Sequence, residues 1–311
     1  MKIGQVNLAE ASGAVRIGGD RILLVGDEAM HVAVIQQAGA TFATGQFKNR
    51  LTSHDDALAT RVNLDDIEDV AWDAERQAAF LMTSHSVNKA EEHKEKRFKI
   101  ARLLFHGDKL KKIEQSGTLE GALSEQFPFV KAALPRPHQI GGVKGAFNIE
   151  GATWVPDVGL LIGLRSPTFS PSHAEPGRAV ALVLSNPHAI FDDKAAPRFE
   201  PQPRTLDLGG QGIRALEYDA SNEGVWLIAG RSDNPDGPPT VGAKPWRLWF
   251  WDLKDGLSLL HTSGPADIAN PEGLCHLVEN GQPGLLLVED SDDKIAPSRT
   301  QWLALSKLNP A

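Results

Sequence analysis

The chain has 311 residues, 41% of them hydrophobic, with 29 Gly and 20 Pro scattered along it and a formal net charge of −8. The acidic balance without a basic stripe argues against nucleic acid as a partner, and the single cysteine, Cys275, excludes an internal disulfide framework and a cysteine-based zinc site. No run approaches the roughly 18 apolar residues of a membrane-spanning helix, and the first residues lack the apolar stretch of a secretory leader, so no membrane partner and a cytoplasmic location are expected.

In chain order, one phrase recurs about five times: an acidic residue, glycine or a small residue, an aromatic or apolar residue, a turn, and an apolar run ending in a polar cluster. An extended segment at 2–8 precedes the first copy, Glu10-Ala11-Ser12-Gly13-Ala14-Val15. The second copy is Asp66-Ile67-Glu68-Asp69-Val70-Ala71-Trp72, with Asp69 where other copies have Gly. Leu119, Leu123, Phe127, Val130 and Leu134 then recur at helical spacing, predicting a short helical insertion over 118–134, kinked or broken at Pro128. The third copy, Asn148-Ile149-Glu150-Gly151-Ala152-Thr153-Trp154, opens four strands at 151–155, 160–164, 179–184 and 204–208. The fourth, Gly212-Ile213-Arg214-Ala215-Leu216-Glu217-Tyr218, opens strands at 215–218, 225–229, 247–252 and 258–261. The fifth, Asn270-Pro271-Glu272-Gly273-Leu274-Cys275-His276, is followed by only three strands, at 274–278, 285–288 and 301–305.

Four short strands per repeat predict an all-β propeller, with each repeat one blade around a channel. Taking Glu10, Glu68, Glu150, Arg214 and Glu272 as equivalent, the count is five four-stranded blades in one domain over 1–311. The N-terminal strand at 2–8 completes the last blade and so removes an open edge. Six blades are the alternative if the region 100–145 hides a further degenerate one.

The repeated Glu starts each inner strand, and the clusters Asp27-Glu28, Ser84-His85, Arg165-Ser166, Arg231-Ser232 and Asp290-Ser291 end each second strand, so both sets are expected at one channel mouth. Loops after the second strands (86–97, 167–178, 233–245, 291–299) are long and those before them short, and long loops on a rigid scaffold carry function. Glu10, Glu68, Glu150, Glu272, Asp27 and Asp290 could together hold Ca²⁺ or another divalent cation, because a hard cation takes six to eight oxygen ligands in roughly this arrangement. Arg214, Arg165, Arg231 and Lys89 would hold a small anionic molecule, and His85 would serve as general acid or base. The competing reading makes each Glu a structural stitch that accepts backbone N–H groups of the neighbouring blade, and the following Gly a steric requirement. Trp72, Trp154 and Tyr218 read as packing between blades. No serine-nucleophile elbow, zinc-protease motif or phosphate-binding loop is present.

On the Ile149-Glu150-Gly151-Ala152 phrase ending in Trp154, the run Leu160-Leu161-Ile162-Gly163-Leu164-Arg165-Ser166-Pro167, the segment Leu206-Asp207-Leu208-Gly209-Gly210-Gln211-Gly212-Ile213-Arg214 and Pro271-Glu272-Gly273-Leu274, the chain resembles a bacterial family catalogued as domain-of-unknown-function family 3616. The resemblance covers most of the chain. It implies a propeller distantly similar to the esterase-like phytase group, supplies no catalytic residues, and makes phosphoester chemistry worth testing. Two functions follow as expectations: a metal-assisted hydrolase of a small anionic phosphoester or lactone, or a non-catalytic propeller binding a ligand or protein through its long loops.

Overall fold

A computed structural model describes residues 2–6, 8, 10–19, 21–26, 32–36, 64–88, 90, 92–107, 109–134, 146–169, 177–232, 245–264, 267–279, 281–290 and 297–307. The chain opens with β1 (Lys2–Val6), and β2 (Ala11–Arg16), β3 (Arg21–Gly26) and β4 (Val32–Gln36) form a three-stranded antiparallel sheet. The next sheet is β5 (Ile67–Asp73), β6 (Ala78–Thr83), β7 (Lys99–His106) and β8 (Lys109–Thr118). After α1 (Glu120–Gln126) and α2 (Pro128–Ala133) come β9 (Asn148–Val155), β10 (Gly159–Phe169), β11 (Arg178–Leu184) and β12 (Arg204–Leu206), with α3 (Pro187–Asp192) between the last two. The fourth sheet is β13 (Gly212–Asp219), β14 (Gly224–Gly230), β15 (Arg247–Trp251) and β16 (Leu257–Thr262). The last is β17 (Pro271–Glu279), β18 (Gln282–Glu289) and β19 (Ser298–Ala304), with β1 paired antiparallel to β19 from Lys2↔Trp302 to Val6↔Ser298.

The sheets are arranged as a propeller. Each inner strand lies against the next, β2 on β5, β5 on β9, β9 on β13, β13 on β17, and β17 on β2. Four sheets have the four strands of a complete blade, and the sheet β2–β3–β4 has three among the described residues. In the region 100–145, where a hidden sixth blade is the alternative, the described residues form β7 and β8, the outer strands of the second sheet, and the helices α1 and α2; residues 135–145 lie outside the described residues.

An apolar layer fills each gap between neighbouring sheets. Val15, Leu23 and Val25 meet Val70, Leu81 and Leu103 in one gap. Leu161, Val183 and Leu206 meet Ile213, Leu227 and Trp251 in another. Second strands therefore face apolar neighbours on both sides, which is why Ala78–Thr83 is buried at every residue and reads as a continuous apolar run. The helical insertion breaks where expected: Pro128 opens α2 directly after α1, since a proline fits the first turn of a helix but not its interior. Leu123, Phe127 and Val130 close the core between the second and third sheets. No helix among the described residues is long and apolar enough to cross a membrane.

Inner strands approach one another closely near the axis. A Cβ on Gly13 would lie 2.7 Å from the Asp69 Cα, and one on Gly273 would lie 3.1 Å from the Gly13 carbonyl carbon, so glycine is needed for steric reasons. Polar side chains then tie each inner strand to the next. The Tyr218 N–H donates to Thr153 Oγ1 at 2.9 Å and the His276 N–H to Glu217 Oε1 at 3.1 Å. Cys275, at the equivalent place on β17, lies near the Arg16 backbone, while its thiol donates to the His276 carbonyl at 3.8 Å. Between β5 and β9 the stitch moves two residues back, where the Ala152 N–H donates to Asp69 Oδ2 at 2.7 Å. Between β2 and β5 the Ser12 hydroxyl donates to the Ile67 carbonyl at 2.6 Å.

Candidate functional site

Each inner strand carries a bulge at the same place. The ladder to the second strand skips one residue in every sheet: Ser12, Glu68, Glu150, Arg214 and Glu272. A bulge adds one residue opposite a single partner, bends the strand and re-aims the extra side chain. This register corrects the equivalence drawn from sequence: Ser12, not Glu10, is the counterpart of the later acidic residues. Glu10 falls two positions earlier, with Asp66, Asn148, Gly212 and Asn270. Aligning on the acidic residue misplaced it, whereas aligning on Gly13, Gly151 and Gly273 recovers the register.

At the bulge positions the structure gathers an ion cluster around one arginine. Arg214 is 6% exposed, its Nε lies 2.9 Å from Glu150 Oε2, and its Nη2 pairs with Glu272 Oε1. Arg214 Nη2 also donates to Asn270 Oδ1 at 3.2 Å. Burial pulls the guanidinium below its usual range, and Glu150, Glu68 and Asp290 oppose that shift. The carboxylates have further donors: Asn148 Nδ2 to Glu150 Oε1 at 3.1 Å and Asn270 Nδ2 to Glu272 Oε1 at 3.3 Å. Gly230, opposite Gly212 in the ladder, clears the way for the arginine, since a Cβ there would stand 2.8 Å from Arg214 Cγ.

Arg165 reaches the same carboxylate from the rim, donating from Nη1 to Glu150 Oε1 at 2.6 Å and from Nε to the Arg231 carbonyl at 3.3 Å. The Arg231 side chain is exposed. Asp290 is half-buried at the end of β18, and its N–H donates to the Asn270 carbonyl at 3.2 Å. Glu10 and Glu68 are buried on the same side. Asp27 and Lys89 lie outside the described residues.

His85 follows β6 and is fully buried. Its Nδ1 lies 2.9 Å from the Thr83 carbonyl, and burial pushes the imidazole down to about 4, so the ring is neutral at pH 7. Its Nε2 has no hydrogen-bond partner among the described residues. Beside it, Arg97 pairs with Asp66 and donates from Nη2 to Ser86 Oγ at 3.1 Å, which fastens the loop after β6 to the mouth.

Among the described residues no group of three or more His, Cys, Asp or Glu side chains is set out for a metal ion. The donor set explains this for Glu150 and Glu272, whose oxygens already serve Arg214, Arg165 and two amides. Sequence reasoning missed Asn148 and Asn270, although the recurrence of Asn two residues before Glu was visible as a donor–acceptor spacing.

No family model matches the chain, and no curated protein matches it. Solved structures are similar at low identity. A native Bacillus subtilis arabinanase is 10% identical over 98% of this chain and 97% of its own, with a TM-score of 0.43. An alpha-L-arabinanase mutant from Cellvibrio cellulosa is 12% identical over 97% and 92%, with a TM-score of 0.47. The PQQ-bound aldose sugar dehydrogenase from Streptomyces coelicolor is 12% identical over 95% and 94%, with a TM-score of 0.40. Likeness at this level says nothing of what this chain binds or turns over.

Proposed function

We propose that the chain is a ligand-binding propeller whose channel mouth takes a small anionic molecule. In this reading the buried Arg214 cluster is fixed architecture, and Arg165 at its rim meets the ligand. The observation that supports it is the division of labour between two arginines on one carboxylate. The Arg214 side chain is 8% exposed and locked between Glu150 and Glu272, whereas the Arg165 side chain is 22% exposed and reaches Glu150 from outside. A guanidinium fork at that place suits a carboxylate or phosphate oxygen pair. The exposed Arg231 side chain adds a second cation beside it.

Glu150 and Glu272 are read as architecture rather than as calcium ligands, because Glu150 already serves Arg214, Arg165 and Asn148, and Glu272 serves Arg214 and Asn270. The buried His85 ring offers no open face to a ligand, so the reading stops at binding. The sheet β2–β3–β4 is read as the fifth blade, since β2 takes its place between β17 and β5. The resemblance to family 3616 places phosphoesters first among the ligands to try.

The test is calorimetric titration of phosphoesters, carboxylates and lactones at fixed ionic strength into wild type and Arg165→Ala. Saturable binding that weakens about tenfold or more in the variant is expected, the size of one lost charge-assisted contact. Absence of saturable binding in the wild type would sink the proposal. Calcium titrated alongside is expected to give no binding that depends on Glu150 and Glu272. Calcium binding lost in Glu150→Gln/Glu272→Gln would return those residues to a metal site.

A further inference from the structure

We infer that the seam between the third and fourth sheets holds a second oxyanion point of this mouth, centred on Arg247. Its ligand group is an oxyanion that also carries a hydroxyl, as a hydrogen phosphate or a hydroxy acid does. This rests on the reading that the mouth binds an anion, and it moves the anion's main contact from the channel axis to the seam.

Arg247 opens β15, opposite Ala229 on β14 and Thr262 on β16. Along β15, Arg247, Trp249 and Trp251 share one face, because side chains alternate along a strand. Trp249 and Trp251 pack into the core between the third and fourth sheets, so Arg247 stands at the mouth end of that same seam. Ala229 lies in that core too, and Arg231 follows it by two residues. From the third sheet, the turn after β12 supplies the floor. Gly209 and Gly210 have φ of 67° and 81°, the left-handed region that suits glycine. A Cβ on Gly209 would lie 3.0 Å from Arg247 Nη1, so the guanidinium rests against this turn.

What singles out Arg247 is the lack of a side-chain partner among the described residues. The other arginines drawn into the interior, Arg102 and Arg214, each pair with two carboxylates. Arg247 is only partly exposed and forms no ion pair or side-chain hydrogen bond among the described residues, and its Nε is buried without an acceptor. A donor taken out of water and left unpaired is destabilising, more so when charged. The same turn holds a complementary acceptor. Gln211 is fully buried, its Nε2 donates to the Pro245 carbonyl at 3.0 Å, and its Oε1 has no donor among the described residues. Pro245 lies two residues before Arg247, and Gln211 two after Gly209. The seam therefore holds cationic N–H donors, and the turn they rest on carries one unpaired carbonyl acceptor; the inferred ligand is an oxyanion whose own O–H would serve that acceptor.

The experiment is calorimetric titration of inorganic phosphate, lactate and acetate, at ionic strength held constant with chloride, into wild type, Arg247→Met and Arg165→Ala. Methionine keeps the apolar stem and removes the charge. Expected are saturable binding of phosphate or lactate by the wild type, weaker binding of acetate, and a loss of about tenfold or more in Arg247→Met. The unliganded melting temperature of Arg247→Met is expected to equal or exceed that of the wild type, because no partner is lost. Phosphate bound over lactate would identify a phosphoryl ligand, and the reverse a hydroxy acid. Wild-type affinity in Arg247→Met with loss in Arg165→Ala overturns the seam inference alone and leaves the mouth reading standing. No binding by the wild type overturns both. Acetate bound as tightly as lactate removes the hydroxyl requirement. A variant that melts well below wild type without ligand makes Arg247 a fold residue and also overturns the inference.

Discussion

Arg214 and Glu150 occupy the same bulge position in neighbouring sheets, and they meet as an ion pair with Nε 2.9 Å from Oε2. One repeat unit thus neutralises its neighbour through a single exchange of charge at an equivalent site. Glu272, the bulge residue of the next sheet, pairs with the same guanidinium from the other side.

Removing the arginine alone leaves Glu272 buried without its cation and Glu150 with Arg165 only. Arg214→Met is expected to cost about 3–5 kcal/mol, the range for breaking a buried pair from one side. Arg214→Met/Glu150→Gln/Glu272→Gln is expected to recover most of that loss, since neutral amides can still bond to Asn148 and Asn270. Urea unfolding of the four proteins (wild type, Arg214→Met, the Glu double variant and the triple) measures this. A triple variant no more stable than Arg214→Met would show that the cluster contributes through packing rather than charge.

The stitch between β13 and β17 makes stability depend on pH. Burial pushes the Glu217 carboxyl up to about 8, so the folded protein holds it protonated at neutral pH while the unfolded chain ionises near the ordinary value of 4.5. A raised folded value means that the stabilisation is complete below about 4.5 and is lost as pH rises toward about 8. Glu217→Gln keeps an oxygen for the His276 N–H and carries no charge. It is expected to gain on the wild type by a few kcal/mol as pH is raised from 5 to 9. Parallel pH profiles of the two melting temperatures would show that Glu217 is not buried as a neutral acid.

Much of the architecture is legible in the sequence, because apolar strand patterns and glycine positions are local. The strands over 148–184 and 212–262 fall where the apolar runs stand, and Pro128 marks the helix break by its own covalent geometry. The stitches are not legible. Thr153, Glu217 and Cys275 hold one structural position and share no side-chain chemistry, so no residue type repeats at that period. The charged residues of the mouth, Glu and Arg alike, are legible in the sequence, whereas their pairing is not: only the fold brings Arg214 between two carboxylates and leaves Arg247 without one among the described residues.

The glycine opposite the arginine offers a steric test of the cluster. A Cβ on Gly230 would meet Arg214 Cγ at 2.8 Å and Cδ at 3.0 Å. Gly230→Ala is expected to displace the arginine from its carboxylates and cost about 1–3 kcal/mol, as overpacking does. Combining it with Arg214→Met should cost less than the sum of the two single changes, because the obstacle and the obstructed group are then both gone. Strict additivity in unfolding free energies would place the strain elsewhere.

On another part of the molecule, a histidine latch joins the second and third sheets and carries the opposite pH dependence. His188 on α3 lies between Asp73 and Arg102, with Nε2 2.8 Å from Asp73 Oδ2 and Nδ1 3.1 Å from Arg102 Nη1. A guanidinium can only donate, so Nδ1 is the acceptor and Nε2 carries the proton given to Asp73. Glu114 and Asp192 hold Arg102 in place, and Arg76 lies close enough to disfavour a charged ring. Burial lowers the His188 value below 6.5, against the pull of Asp73. A depressed folded value means that the stabilisation is present above about 6.5 and is lost as pH falls through the folded value. A proton on Nδ1 would also break the Arg102 bond. His188→Gln cannot take up that proton, so its melting temperature is expected to fall less steeply than the wild type's between pH 7 and pH 5. A wild-type slope in the variant would mean that the acid sensitivity of this seam does not come from the His188 ring.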